Sequence, residues 1–293
     1  MQKRTLNLGG KLYGLDIPLV MGIVNATPDS FFSDSRAQGE ALLSQRIAQL
    51  VGDGADIIDV GGYSSRPGAT DISPREERGR LEPALRLLRD NYPGIPVSVD
   101  TFRADVAAWA RDEYGVAMIN DISAGTLDEA MFETVARRQI PYIMMHMRGT
   151  PKTMNSLVCY ESLTVEVLDY FVDRLGRLRD LGLHDVVIDP GFGFAKTLEQ
   201  NYELLNAMAD LKDALELPLL VGVSRKSMIY RFLGVTADEA LNGTTVLHTY
   251  ALLSGADVLR VHDVREAREV ISLVQKIKEH RSDPVNKVEY WVR

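Results

Sequence analysis

The sequence predicts an α/β fold: a single (β/α)8 TIM barrel with an N-terminal β-hairpin. Three observations carry this. Short apolar runs recur eight times, each followed by apolar residues at helical spacing. The runs are continuous rather than alternating, as strands buried on both faces of a parallel sheet require. Polar residues fall consistently just past the runs, where the strand C-termini of a barrel converge on its functional face. A doubly wound open sheet is the alternative, and the count of eight favours closure.

The elements follow in order. Thr5 to Asp16 alternates apolar and polar residues around Gly9-Gly10, the pattern of a small hairpin covering one end of the core. Leu19–Val24 is the first apolar run, with Leu43, Ile47 and Leu50 behind it. Ile57–Val60 precedes Leu81, Leu85 and Leu88; Val97–Val99 precedes Phe102, Val106 and Trp109. Ala117–Ile119 precedes Met131 and Val135, and Tyr142–Met145 precedes Leu163, Val167, Phe171, Leu175 and Leu178. Val186–Ile188 leads to Leu204, Met208 and Leu211, and Leu219–Val223 to Leu241, His248 and Leu252. Val258–Val261 closes the series before Val270, Val274 and Ile277. The organisation expected is a hairpin at 1–18 within the same domain, a barrel at 19–282 and a short tail at 283–293.

Composition narrows the function. A net charge of −8 argues against a general nucleic-acid or membrane surface. No apolar run approaches the roughly 18–20 residues of a membrane span, and no apolar stretch follows the first residues as a secretory signal would. The single Cys159 excludes an intramolecular disulfide and a cysteine-cluster metal site, and it fits a reducing compartment.

The residues just past the strands are Asn25, Asp59, Asp100, Asn120-Asp121, His146, Asp189, Ser224-Arg225-Lys226, Arg260 and His262. Each alone has a bland reading, since Asp and Asn at a strand end often cap the next helix or close a turn. Asp59 reads as structural beside Gly61-Gly62, His146 as a packed histidine and His248 as packing or surface. Together they have a chemical meaning. Asp100, Asn120, Asp189 and Lys226 offer acceptors and donors to a flat heterocycle with an amidine-like edge, which a carboxylate grips through two parallel bonds. Asn25, Arg66, Arg260 and His262 suit an anion, arginine through its planar fork and Asn25 through a Mg²⁺ that keeps several waters. Gly191-Phe-Gly193-Phe-Ala-Lys196 nearly matches the dinucleotide fingerprint, but Lys196 stands where the third glycine belongs. P-loop, H-E-x-x-H and G-x-S-x-G patterns are absent from the sequence.

From Met21 to about Val264 the chain resembles the dihydropteroate synthases of the pterin-binding enzyme family. The resemblance rests on Met21-Gly-Ile-Val-Asn-Ala-Thr-Pro-Asp-Ser-Phe31, Asp59-Val-Gly-Gly-Tyr-Ser-Ser-Arg-Pro-Gly-Ala69, Val99-Asp-Thr101 and Ile119-Asn-Asp-Ile122. It continues through Met145-His-Met147 with Gly149-Thr-Pro-Lys-Thr153, Asp189-Pro-Gly-Phe-Gly-Phe194, Gly222-Val-Ser-Arg-Lys-Ser227 and Arg260-Val-His262, in the family's order. It implies a cytoplasmic transferase of folate biosynthesis, a homodimer joined through the later helices and a target of sulfonamides. The implied reaction joins 6-hydroxymethyl-7,8-dihydropterin pyrophosphate to p-aminobenzoate with Mg²⁺ as cofactor. The resemblance further implies that Asp100, Asn120, Asp189 and Lys226 hold the pterin between Ile122 and Met145. Asn25 would bind Mg²⁺, with Arg66, Arg260 and His262 around the pyrophosphate. Ser65, Pro67, Phe194 and Ser227 would shape the p-aminobenzoate site. Asp100, Lys226 and Arg260 would act on the reacting atoms, while loops at about 27–38 and 63–71 close over them.

The chain departs from the family in two places. Tyr63-Ser-Ser stands where Glu-Ser-Thr is usual, and Phe32-Ser-Asp-Ser-Arg36 replaces a glycine-rich turn. A methyltetrahydrofolate-binding methyltransferase would not need Ser224-Arg-Lys226 or the Thr27-Pro-Asp29 loop. A non-catalytic paralogue would be expected to lose Asn25, Arg66 or Arg260, and all three are present. A Mg²⁺-dependent lyase would want clustered carboxylate ligands.

Overall fold

A computed structural model describes residues 4–27, 36–65 and 70–280, the side chains of 36 and 37 excepted. Residues 28–35 of the first loop, 66–69 of the second and the 283–293 tail therefore lie outside the described residues.

Strands β1 (Thr5–Leu8) and β2 (Lys11–Gly14) form the expected hairpin, with Leu8 opposite Lys11. Gly9 and Gly10 both have positive φ, 62° and 89°, which a two-residue turn between twisted strands needs and which glycine adopts without steric penalty. Leu6 and Leu8 point inward and join Met21, Ile57, Met118, Ile143, Val187, Leu220 and Val258 in one apolar cluster. The hairpin thus plugs the N-terminal end of the barrel.

Eight parallel strands make the barrel: β3 (Leu19–Asn25), β4 (Ile57–Gly61), β5 (Val97–Asp100), β6 (Met118–Asp121), β7 (Tyr142–Met145), β8 (Val186–Asp189), β9 (Leu220–Val221) and β10 (Val258–Val261). The ladder runs β8-β7-β6-β5-β4-β3-β10-β9, and a parallel bridge between Ile188 and Leu219 joins its two ends. That bridge excludes the open doubly wound sheet. The helices between strands are α1 (Arg36–Gly52), α2 (Pro74–Asn91), α3 (Ala104–Tyr114), α4 (Met131–Arg137), α5 (Leu163–Asp180), α6 (Leu198–Asn206), α7 (Met208–Leu215), α8 (Ser227–Leu233), α9 (Leu241–Leu253) and α10 (Val264–Glu279).

The continuous apolar runs resolve into two faces. Val20, Val24, Ile58, Val60, Val99, Ile119, Met144, Ile188, Val221, Leu259 and Val261 pack outward in the large cluster that includes the helices. The alternate residues point into the barrel, apolar at the hairpin end and polar at the other. Register carries this across the sheet: Asn25 pairs with Gly61, Gly61 with Asp100, and Asp100 with Asn120. Met145 likewise pairs with Asp189.

Two elements differ from the sequence reading. The seventh strand is only Leu220–Val221, because the backbone turns at Val223, whose carbonyl accepts from Lys226 N at 3.1 Å. The turn brings Lys226 back over the barrel mouth. The helix read through Leu204, Met208 and Leu211 breaks at Ala207 into α6 and α7.

Candidate active site

The polar mouth is organised by Arg260 on β10. Its Nε donates to Asp59 Oδ2 at 2.7 Å and its Nη2 to Asp100 Oδ2 at 2.8 Å. Asn120 Nδ2 donates to the same Asp59 oxygen at 3.1 Å. Asp59 is fully buried and structural, as the sequence reading has it, but through Arg260 and Asn120 rather than through a turn at Gly61-Gly62. Strand β4 continues through Gly61, so Asp59 lies inside the strand and faces the barrel axis. There it is a shared acceptor for two groups that line the mouth.

Asp189 ends β8, and its two oxygens face different ways. Oδ1 accepts from Gly191 N at 2.8 Å, which is the turn-closing role of any Asp in such a place. Oδ2 faces the floor, where a methyl group on Gly222 would come within 4.0 Å of it and 3.9 Å of Lys226 Nζ. Lys226 donates to Phe192 O and lies 5.0 Å from the centre of the Phe194 ring. Ile122 and Met145 form an apolar cluster with Met147, Met154 and Ala195, against which Phe194 packs. The mouth is thus a cup with a polar floor and an apolar wall.

The glycines of the Asp189–Phe194 turn do not form a dinucleotide cradle. Gly191 N is spent on Asp189, and Gly193 N donates to Asn201 Oδ1 at 2.6 Å. Gly191 has φ 72°, and a Cβ there would stand 2.0 Å from the His146 carbonyl oxygen, so backbone approach dictates glycine. Lys196 spans the turn. Its Nζ donates to Gly191 O at 3.0 Å and Phe194 O at 2.9 Å, and it meets His146 Nδ1 at 2.9 Å.

Electrostatics follow from burial and from the count of charges. Three carboxylates, Asp59, Asp100 and Asp189, stand with two cations at the mouth, Arg260 and Lys226, and Lys196 acts on Asp189 from the adjoining turn. Burial pushes the Asp100 carboxyl up to about 7; Arg260 opposes this and Asp59 adds to it. Burial also raises Asp189, against the pull of Lys226. Burial lowers Lys226 to about 8 and Lys196 to about 7, with Asp189 opposing in both cases. Burial works against the charge on Arg260, but Asp59 and Asp100 outweigh it and hold the guanidinium charged.

His262 follows Arg260 past the end of β10. Its backbone N donates to Ser224 Oγ at 3.2 Å and its carbonyl accepts from Arg46 at 2.7 Å. Burial, with Arg260 and Arg46 adding to it, lowers its pKa to about 4. His262 therefore offers a neutral ring at pH 7 rather than a second positive charge. Arg225, between Ser224 and Lys226, adopts a left-handed φ of 52° and grips Asp263 through Nε at 2.8 Å and Nη2 at 3.0 Å. That fork ties the Lys226 turn to the Arg260 strand.

Other sequence-derived residues divide cleanly. Asp121 faces away from the mouth and accepts from Ser123 N, Ser123 Oγ, Gly125 N and Tyr142 Oη, as a turn organiser. His146 is packed, as expected, edge-on to Tyr170 at 4.8 Å, and burial lowers its pKa to about 2. His248 is buried inside α9. Asn25 closes β3 beside Gly61, Ser227 opens α8, and Ser65 is half-buried at the edge of the second loop. Arg66 and Pro67 lie outside the described residues. The sequence reading missed the working roles of Asp59, Lys196 and Gly222. The only advance signals were an acid inside an apolar run and a lysine in place of a third glycine.

Two cavities of about 430 and 690 Å³ lie at the hairpin end, lined by residues such as Tyr13, Tyr92 and Tyr114 or Arg4, Lys212 and Asp257. Neither gathers the strand-end groups, so the chemistry belongs to the opposite mouth.

Comparison with known proteins agrees with this geometry. The pterin binding enzyme family matches residues 21–262. The dihydropteroate synthase of Escherichia coli (strain K12) is 39% identical over 269 residues, 91% of this chain and 94% of the relative. A crystal structure of Yersinia pestis dihydropteroate synthase with a sulfonamide drug complex superposes with a TM-score of 0.86 at 35% identity, covering 94% of this chain and 100% of that one. Xanthomonas albilineans dihydropteroate synthase with 4-aminobenzoic acid gives 0.86 at 34% identity, covering 94% and 99%. The strand-end groups that line the mouth fall within the matched stretch, and this chain belongs to the pterin-binding enzyme family, among its dihydropteroate synthases.

Proposed function

We propose that the chain condenses 6-hydroxymethyl-7,8-dihydropterin pyrophosphate with p-aminobenzoate, releasing 7,8-dihydropteroate and pyrophosphate. The observation that carries this reading is the cup itself, in which three carboxylates face two cations beside an apolar wall. Such a site suits a flat ring that becomes positive as its leaving group departs.

The residues divide the work. Asp189 Oδ2 and Asn120 take the amino-pyrimidinone edge of the pterin, with Lys226 on the same floor and Ile122 and Met145 as wall. Asp100 stabilises the cation-like ring. Arg260 uses Nε and Nη2 on two carboxylates, and a fork of five N–H groups retains capacity for the pyrophosphate. His262 adds a neutral polar contact, and Arg66 joins them on the resemblance alone. Ser65, Pro67, Phe194 and Ser227 shape the p-aminobenzoate side, Ser227 near its carboxylate.

Among the described residues no group of three His, Cys, Asp or Glu could hold a metal ion. A single amide oxygen from Asn25 instead fits a Mg²⁺ that keeps most of its waters and takes further ligands from the substrate's phosphates. When bound there, the ion would withdraw charge from the departing pyrophosphate.

The C–O bond to pyrophosphate breaks and its electron pair leaves with the oxygen. The arylamine nitrogen then attacks the exocyclic CH2 and loses a proton. The arylamine is already a nucleophile, so no covalent intermediate or strong base is required. Exclusion of water protects the cation from capture.

The lone cysteine supports a reducing, cytoplasmic setting. Among the described residues no helix is long and apolar enough to cross a membrane. A homodimer is supported by exposed apolar residues on α8, α9 and α10, among them Phe232, Val246, Leu253, Leu273 and Ile277.

The test is pyrophosphate release by the purified chain with Mg²⁺. Release is expected only when both substrates are present, with sulfonamides competing against p-aminobenzoate. Folded protein that releases none with both substrates overturns the proposal.

A further inference from the structure

We infer that Lys196 is a positioning residue for the p-aminobenzoate side of the site, holding the Phe194–Ala195 turn through its three side-chain hydrogen bonds. The inference rests on the reaction proposed above and adds a residue that acts without touching either substrate.

An ammonium has three donors. Lys196 Nζ has three protein acceptors within 3.0 Å: Gly191 O, Phe194 O and His146 Nδ1. With every donor used, this group is built to hold protein rather than ligand. What it holds needs holding. Ala195 has φ 49°, a left-handed backbone that a residue with a Cβ adopts only under constraint. Two side chains brace it: Lys196 on the carbonyl before it, and Tyr160, whose hydroxyl donates to Ala195 O at 2.8 Å. His146 supplies a fixed far end, since it is packed against Tyr170 and its backbone N donates to Asp189 O at 3.0 Å.

The consequence differs for the two halves of the site. Asp189 is fixed by the ladder to β7, whose backbone bonds do not involve Lys196. Phe194, which faces Lys226 at 5.0 Å, depends on the braced turn. Loss of the Lys196 ammonium should therefore displace Phe194 and leave the pterin floor in place.

Lys196→Met should raise the KM for p-aminobenzoate about tenfold, the loss expected for a hydrogen bond from a charged group. The Kd for the pterin pyrophosphate, measured by calorimetry without p-aminobenzoate, should stay within about twofold on the same scale. Lys196→Gln keeps an amide donor in the same space, should show a smaller rise, and carries the test if the methionine variant does not fold. Lys196→Cys in a Cys159→Ser background, aminoethylated to restore an ammonium, should recover the native KM. An unchanged KM overturns the inference. So does a pterin Kd that rises as far as the KM, because that marks general damage to the fold. Pyrophosphate release by the native chain in the same assay tests the parent reaction separately.

Discussion

At the scale of single residues, the strongest expectation concerns Asp59. A turn residue would be nearly neutral to substitution. A buried carboxylate shared by Arg260 and Asn120 is not, because removing it leaves a buried guanidinium short of a partner. Asp59→Ala should lower stability by about 3 kcal/mol, in the range for breaking a buried ion pair, as measured by urea unfolding. A change within the few tenths typical of exposed sites would deny Asp59 that role. Asp100 gives a pH test with a fixed sign. Its carboxyl is raised from 3.8 to about 7. The folded state therefore favours the protonated form, so the stability it contributes is present below about pH 4 and is lost as pH rises towards 7. Activity runs the other way, since only the ionised carboxylate stabilises a cation-like ring. The acid limb of kcat/KM should fall near pH 7 and vanish in Asp100→Asn. An acid limb that survives in that variant would assign it to another group. Asp59 also shows why part of the site was illegible in the sequence. Gly61-Gly62 punctuates a chain in the way a turn does, and only the pairing of Asn25 with Gly61 reveals that the strand continues.

At the scale of elements, the strands were legible because burial on both faces demands unbroken apolar runs, and seven of the eight run four to seven residues. The short β9 ends before the apolar run does, since Val223 is as apolar as Val221 and only the turn that returns Lys226 ends the strand. Asp100, Asn120, Asp189 and Lys226 could be read as one site because each follows or ends such a run, and Arg260 because it interrupts the last one. Lys196 could not be read, because its partners include two backbone carbonyls, which no side-chain pattern encodes. The Asp189–Phe194 turn makes the same point in testable form. Gly191 belongs to a near match to the dinucleotide fingerprint, but the atom nearest a Cβ there is the His146 carbonyl oxygen at 2.0 Å. Gly191→Ala must push β7 and β8 apart at the mouth. Pterin binding should then fall at least about a hundredfold, as misplacement of a positioned group can produce. Gly193→Ala, where the nearest atom is Lys226 Cδ at 3.6 Å, should retain folding and lose less affinity, with φ 82° as its main penalty. Calorimetry showing equal losses in the two variants would deny the close-approach argument.

At the scale of the whole molecule, the barrel separates its tasks by end. The hairpin and the inward apolar layer close one end, and ionisable groups fill the other. Yet the later helices carry apolar surface that the barrel does not use. On α9, Val246, Tyr250 and Leu253 recur at helical spacing and are 59%, 39% and 54% exposed. On α10, Leu273 and Ile277 lie one turn apart at 66% and 62% exposed. Contiguous exposed apolar surface of this kind marks an interaction face, and a second copy of the same chain meets it most simply through a two-fold axis. Sedimentation velocity at micromolar concentration should therefore show a dimer. Leu253→Glu with Leu273→Glu places charges in the middle of the face and should give monomers. Because the mouth points along the barrel axis and these substitutions lie on the outer helices, the monomers should keep kcat within about threefold, as surface changes away from a site usually do. Native protein that sediments as a monomer would remove the dimer. Loss of activity in step with dissociation would instead show that the partner steadies the Lys226 turn, which precedes α8 and is tied to α10 through Arg225 and Asp263.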